Sequence, residues 1–263
     1  KLLELLSTPA ALAIRNAKMA QEMVEQNKMQ KEIEIVGEIQ KSLLSSNKKE
    51  PFPLAGINIP AKVVSGDFYN FNDLGDGKYG FGVADVSGKG IKSSLLMSKA
   101  SSLYSCLSKT NFSPASLLTQ LNNEICETIS RGMFVTMLVG IYDSNSKELL
   151  ISNAGHEPPI ILNDKNEFSN FIEAGPPLGI VAKTPYKEYN LKFDKSSMYI
   201  FTDGITEIKN PEGEELGSLG FQNYITRFKD KPNNERLKLI IDNVLNSKYI
   251  QKDDLTIVVV DSK

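Results

Sequence analysis

The sequence predicts an α+β fold in which antiparallel sheets are covered by helices. Two observations point there. Runs rich in β-branched and aromatic residues follow one another as meanders joined by short turns, and helical stretches are inserted in pairs rather than in strict βαβ alternation. A long helical pattern precedes both and stands apart in composition.

From Pro9 to about Ser45 there is no internal proline and one glycine, Gly37. Ala, Met, Glu, Gln, Lys and Ile dominate, which favours a single long helix. Ala13, Ala17, Ala20 and Val24 step by four and three, and Met29, Ile33, Val36, Gln40 and Leu43 repeat the step. This spacing predicts a coiled-coil seam with a phase break between Val24 and Met29. The competing reading is one helix packed on its own domain. Residues 1–50 are therefore read as a linker helix that dimerises or passes a signal, with Pro51 and Pro53 ending it. Residues 51–263 form one globular domain, long enough to bury a core without disulfides.

Strands are predicted at 54–64, 68–71, 79–86, 134–142, 148–152, 159–162, 186–193, 197–201 and 255–260. Asp73-Leu74-Gly75-Asp76-Gly77 reads as a hairpin turn, and Asp143 to Lys147 as another. Helices are predicted at 91–108, 113–129, 219–229 and 233–246. The second of these has Ser113 as N-cap and Pro114 at its first position.

The chemistry lies in four segments: Ser65-Gly66-Asp67, Ala84-Asp85-Val86-Ser87-Gly88-Lys89-Gly90, Phe201-Thr202-Asp203-Gly204 and Lys252-Asp253-Asp254-Leu255-Thr256. Carboxylates at strand ends, far apart in sequence, predict one convergent acidic site for divalent metal or acid–base work. A lone Asp-Gly is ordinarily a turn; four such segments are a pattern. Oxygen ligands with little histidine suit Mg²⁺ or Mn²⁺ and not zinc. Two such ions sharing a carboxylate can activate water and clamp a phosphoryl group.

Other chemistries are poorly supported. The Asp85–Gly90 stretch lacks the spacing of a nucleotide-binding P-loop. No GxSxG occurs, and the single histidine, His156, makes a serine triad improbable. In Asn153-Ala154-Gly155-His156-Glu157-Pro158-Pro159 that histidine is read as structural in preference to catalytic. Net charge is −2, which gives no case for a nucleic-acid surface. Cys106 and Cys126 form no CxxC and are read as reduced core thiols of a cytoplasmic domain. No apolar run reaches the ~18 residues of a membrane span, and no signal peptide is evident. The chain begins with Lys and is read as a fragment.

Taken with Glu38-Ile39-Gln40-Lys41-Ser42-Leu43-Leu44, Val64-Ser65-Gly66-Asp67-Phe68-Tyr69, Met133-Phe134-Val135-Thr136-Met137, Pro177-Leu178-Gly179 and Ile205-Thr206-Glu207, these motifs run in one order over residues 38–260. The chain thereby resembles the bacterial SpoIIE/RsbU-like branch of the type 2C metal-dependent protein phosphatases. The resemblance implies a four-layer α/β/β/α sandwich of two mainly antiparallel sheets with two Mn²⁺ or Mg²⁺ ions in a cleft at one end. It implies that Asp85 bridges both ions, that the Val86 carbonyl and Asp67 serve the second, and that Asp203 and Asp253 hold the first. Asp254 is the reserve for Asp253. Asp85 and Asp203 are the residues whose loss should end catalysis. The implied reaction is in-line attack of water on a phosphoserine or phosphothreonine of a protein, without a phosphoenzyme. The implied substrate is a phosphorylated STAS-type antagonist of an anti-sigma factor.

Two departures follow from the resemblance. Where eukaryotic members carry a histidine after the bridging aspartate, Val86-Ser87-Gly88 stands, so water becomes the source of the leaving-group proton. The region around the later metal ligands is short in this branch, which implies a metal site that is weak until a partner orders it. Residues Ala10 to Ala17 resemble the closing helix of a GAF sensor domain, implying an upstream sensor and a homodimer through the helix. Two other readings compete: a non-catalytic module that keeps the fold, and a hydrolase of small phosphoesters.

Overall fold

The computed structural model describes residues 2–45 (backbone alone for 2–10), 52–109, 113–130, 132–169, 173–247 and 249–262. Pro51, expected to end the first helix, lies outside them. Helix α1 (Leu2–Leu43) leads into β1 (Leu54–Ile59), β2 (Phe68–Gly75) and β3 (Lys78–Val86). Helices α2 (Ile91–Leu107) and α3 (Pro114–Cys126) follow, then β4 (Val135–Asp143), β5 (Glu148–Ala154), β6 (Ile160–Leu162), β7 (Phe168–Ser169), β8 (Tyr189–Lys192) and β9 (Ser197–Phe201). The chain closes with α4 (Asp203–Thr206), α5 (Gly217–Phe228), α6 (Asn233–Asn246) and β10 (Leu255–Asp261).

The strands form two five-stranded antiparallel sheets, ordered β1-β10-β9-β6-β7 and β2-β3-β4-β5-β8. Their stacking follows from side-chain alternation. In β10, Val258 and Val260 enter the core between the sheets, while Ile257 and Val259 point the other way, towards Phe221, Ile225 and Ile240 of α5 and α6. Met198 and Ile200 of β9 go inward while Tyr199 and Phe201 go outward. A period of two with both faces buried makes such strands read as unbroken apolar runs. On the far side, Met97, Tyr104, Leu118 and Leu121 of α2 and α3 cover Phe68, Ala84 and Met137. The result is the expected α/β/β/α order.

Two expectations need correction. Cys106 is exposed, because it falls on the outer face of α2; it is no core thiol. Gln40, placed by spacing on the seam, is 4% exposed and packs against its own domain. Spacing alone cannot tell which body a helix face meets. No helix among the described residues is long and apolar enough to cross a membrane.

Candidate active site

Strand register brings the aspartates together. Phe68 pairs with Ala84, which sets Asp67, just before β2, beside Asp85 near the end of β3. Phe201 pairs with Ile257, which sets Asp203, just past β9, near Asp253 and Asp254 before β10. One pair belongs to each sheet, and the stacked sheets join them at a common end. Asp67 makes the join: its Oδ2 accepts from Thr202 Oγ1 at 2.8 Å and Thr256 Oγ1 at 2.6 Å.

The Asp-Gly pair after β9 has a packing reason. A Cβ on Gly204 would stand 2.1 Å from the Asp254 carbonyl oxygen, so only glycine lets the two segments touch. In the β3–α2 loop, Gly88 and Gly90 have φ of 88° and 89°, a region that disfavours side chains. That turn carries the chain from Val86 into α2, and Ser87 Oγ secures it by accepting from Phe134 N at 2.8 Å.

Asp253 and Asp254 separate in role. Asp254 faces inward, accepting from Ala61 N at 2.7 Å, Ser65 Oγ at 2.9 Å and Gly66 N at 2.6 Å. Asp253 pairs with Lys89 at 2.6 Å, and Lys89 also donates to Lys252 O at 3.0 Å.

The electrostatics are those of crowded acids. Burial raises Asp67 well above the usual carboxylate range, and the neighbouring Asp85 adds to this. Burial likewise raises Asp85, against the pull of its hydrogen bond with Asp67, and Asp253 and Asp254 push further upward. Asp203 is pushed up to about 6 by burial and then by Asp85. Lys89 is held above its ordinary value, first by its hydrogen bond to Asp253.

His156 is 3% exposed. Asn153 frames it, with Oδ1 accepting from His156 N and Nδ2 donating to His156 O, while its Nδ1 lies 3.0 Å from Thr136 Oγ1. Burial pulls its pKa down to about 4, so the ring is neutral at pH 7. Sequence reasoning overlooked Thr202, Thr256, Ser65 and Lys89. All four stand inside the quoted motifs, one or two residues from an aspartate or in the glycine loop, and that adjacency was the available signal.

The donor set fits a hard dication in its chemistry. Every group is oxygen, and three carboxylates are raised by burial and mutual repulsion that a cation would relieve. Among the described residues, no three His, Cys, Asp or Glu side chains already close into a cage, since Asp67 is turned to its threonines and Asp253 to Lys89.

Solved structures share this architecture. The SiaA-PP2C domain of Pseudomonas aeruginosa matches with a TM-score of 0.79 at 20% identity, over 90% of this chain and 98% of that one. RsbX in complex with magnesium matches with a TM-score of 0.60 at 16% identity, over 82% and 98%. These structures place the fold with that of PP2C domains. Residues 75–263 match the family model described as Stage II sporulation protein E (SpoIIE). The phosphoserine phosphatase RsbU of Bacillus subtilis is 31% identical over 243 residues, covering 90% of this chain and 72% of that protein. Protein IcfG of Synechocystis is 28% identical over 232 residues, covering 76% of this chain and 36% of that protein. The chain belongs to the SpoIIE family of protein serine/threonine phosphatases.

Proposed function

We propose that this chain hydrolyses phosphoserine or phosphothreonine on a STAS-type antagonist of an anti-sigma factor, in the cytoplasm, with two Mn²⁺ or Mg²⁺ ions per site. The observation that carries the reading is the convergence of Asp67, Asp85, Asp203 and Asp253 on one end of both sheets. Asp85, beside Asp67 and close enough to Asp203 and Asp253 to feel their charge, would be shared by both ions. Asp203 and Asp253 would hold the first, and Asp67 and the Val86 carbonyl the second. Asp253 takes this role over Asp254 because its side-chain partner is the exposed Lys89, whereas Asp254 is braced by Ala61, Ser65 and Gly66. When bound, the ions neutralise the phosphoryl oxygens and acidify the attacking water. Thr202 and Thr256 fix the direction of Asp67. His156 is buried and neutral, so it supports the fold and leaves protonation of the leaving group to water.

Residues 1–50 serve as a linker from an upstream sensor and as a dimer contact, and 51–263 as the catalytic domain. A non-catalytic module would gain nothing from carboxylates held so far from their preferred charge state. The test compares Mn²⁺-dependent phosphate release from a phosphoserine STAS protein with hydrolysis of p-nitrophenyl phosphate. Preference for the protein supports the reading. Full activity with EDTA removes the metals, and cleavage of the small ester alone removes the protein substrate.

A further inference from the structure

Among residues 11–43 of α1, Gly37 and Gln40 are the buried positions. They are three apart, on one face of the helix. At Gly37 the helix meets the domain so closely that a Cβ would stand 2.5 Å from Val63 O. One turn on, the Gln40 amide enters the domain and bonds with both ends. Its Nε2 donates to Ser65 O at 3.0 Å and Ser94 O at 3.1 Å, and its Oε1 accepts from Ser65 N at 3.0 Å.

These partners flank the acidic cleft. Ser65 Oγ donates to Asp254 Oδ2 at 2.9 Å and accepts from Asp67 N at 3.0 Å. Ser94 N donates to Gly90 O at 3.0 Å, tying the first turn of α2 to the loop that follows Asp85. One side chain thus spans the segment that presents Asp67 and the helix that follows Asp85. The void beside Gln40 is about 10 Å³, near the lower limit for one water, so solvent offers no ready substitute for the amide. Without it, two carbonyls and one N–H lose a buried partner.

We infer that Gln40 is a positioning residue: it locks the Ser65–Asp67 segment to the start of α2 and thereby sets the affinity of the cleft for divalent metal. The last turns of α1 are part of the cleft's scaffold. A shift of α1 is felt at Asp67 and Asp254 through Ser65, without contact between α1 and either carboxylate. This rests on the metal reading given above.

The test is Gln40→Met, which keeps length, burial and helix propensity but deletes the three hydrogen bonds. Hydrogen exchange is followed at residues 63–67 and 90–95, and Mn²⁺ binding by calorimetry. Faster exchange in both segments is expected, with Mn²⁺ affinity weaker by roughly 10–100-fold, the usual effect of removing a support behind a metal ligand. Turnover should recover most of its kcat at saturating Mn²⁺. Gly37→Ala, which lifts the same face off Val63, should shift both readouts in the same direction, and exposed Glu38→Gln should change neither. Unchanged exchange or unchanged Mn²⁺ affinity in folded Gln40→Met overturns the inference; should that variant not fold, Gly37→Ala decides by the same two readouts. Wild-type protein that binds no Mn²⁺, with exchange still raised in Gln40→Met, overturns the metal reading itself and leaves only the mechanical lock.

Discussion

Asp254 Oδ2 accepts from the Gly66 backbone at 2.6 Å, closing a link across 188 residues of chain. Beside it, Asp253 looks outward to Lys89. Neighbours in sequence, the two acids have different surroundings: Asp254 is tied to three protein donors, and Asp253 to an exposed lysine.

Asp254→Ala should therefore act on stability. Three donors, Ala61 N, Ser65 Oγ and Gly66 N, lose a charged acceptor, which costs about 2–3 kcal/mol. Lys89→Ala should cost well under 1 kcal/mol, since its ion pair has side chains 50% and 40% exposed. Chemical denaturation of both variants checks the contrast; equal losses would put Asp254 outside the brace.

Asp85→Asn and Asp203→Asn should abolish turnover while the fold survives. Each removes a carboxylate whose charge is disfavoured by burial, so metal-free stability should hold or rise. Mn²⁺ at 100 times its Kd should stabilise wild type by about 2.7 kcal/mol and these variants far less. Thermal melts with EDTA and with Mn²⁺, beside turnover at saturating Mn²⁺, provide the check. Near wild-type turnover in either variant means the site is misassigned.

How legible the site was depends on what kind of information each residue carries. Strand β10 was readable because a strand buried on both faces is a continuous apolar run. β1 was drawn to residue 64 but stops at Ile59, because Pro60 ends the ladder. β7 has two residues and α4 four, too few to leave a periodic signal. The aspartates were readable as strand-end residues. The difference between Asp253 and Asp254 was not, since only direction in space separates them. Gln40 fitted the 4-3 spacing of a seam equally well, and only its partners Ser65 and Ser94 reveal the domain as its neighbour.

His156 gives a pH dependence. Its folded pKa is lowered to about 4 from an ordinary 6.5, so between those values the unfolded chain binds more protons. Its contribution to stability is present above about pH 6.5 and lost as pH falls towards 4, at most about 3 kcal/mol. His156→Gln should show a flatter fall of stability over that window. Its kcat should drop less than the ~10²–10⁴-fold expected of a general acid. Denaturation midpoints from pH 4 to 7, with turnover at pH 7, test both; a loss of catalysis in that range from a stable variant would falsify the structural role.

Among the described side chains of the amino-terminal helix, residues 11–36 are exposed apart from half-buried Ile33. Leu12, Ile14, Met19, Met23, Val24, Met29, Ile35 and Ile39 are each more than half exposed, too much apolar surface for a helix left to water. The domain takes the face of Gly37 and Gln40 and half-buries Ile33 one turn earlier, so the seam open to a second copy narrows beyond Met29. A parallel homodimer through this helix is the expected state. Ile33→Asp with Val36→Asp should weaken it, because charges on the seam lose burial and repel across the pair. The same double variant should alter turnover although it touches no carboxylate, because the seam and Gln40 lie on one continuous helix. Sedimentation and turnover measured on one preparation decide it. A monomeric wild type refutes the seam, and an intact dimer with unaltered turnover refutes the coupling. A monomer with unaltered turnover would leave the helix as a dimer contact alone, mechanically silent at the cleft.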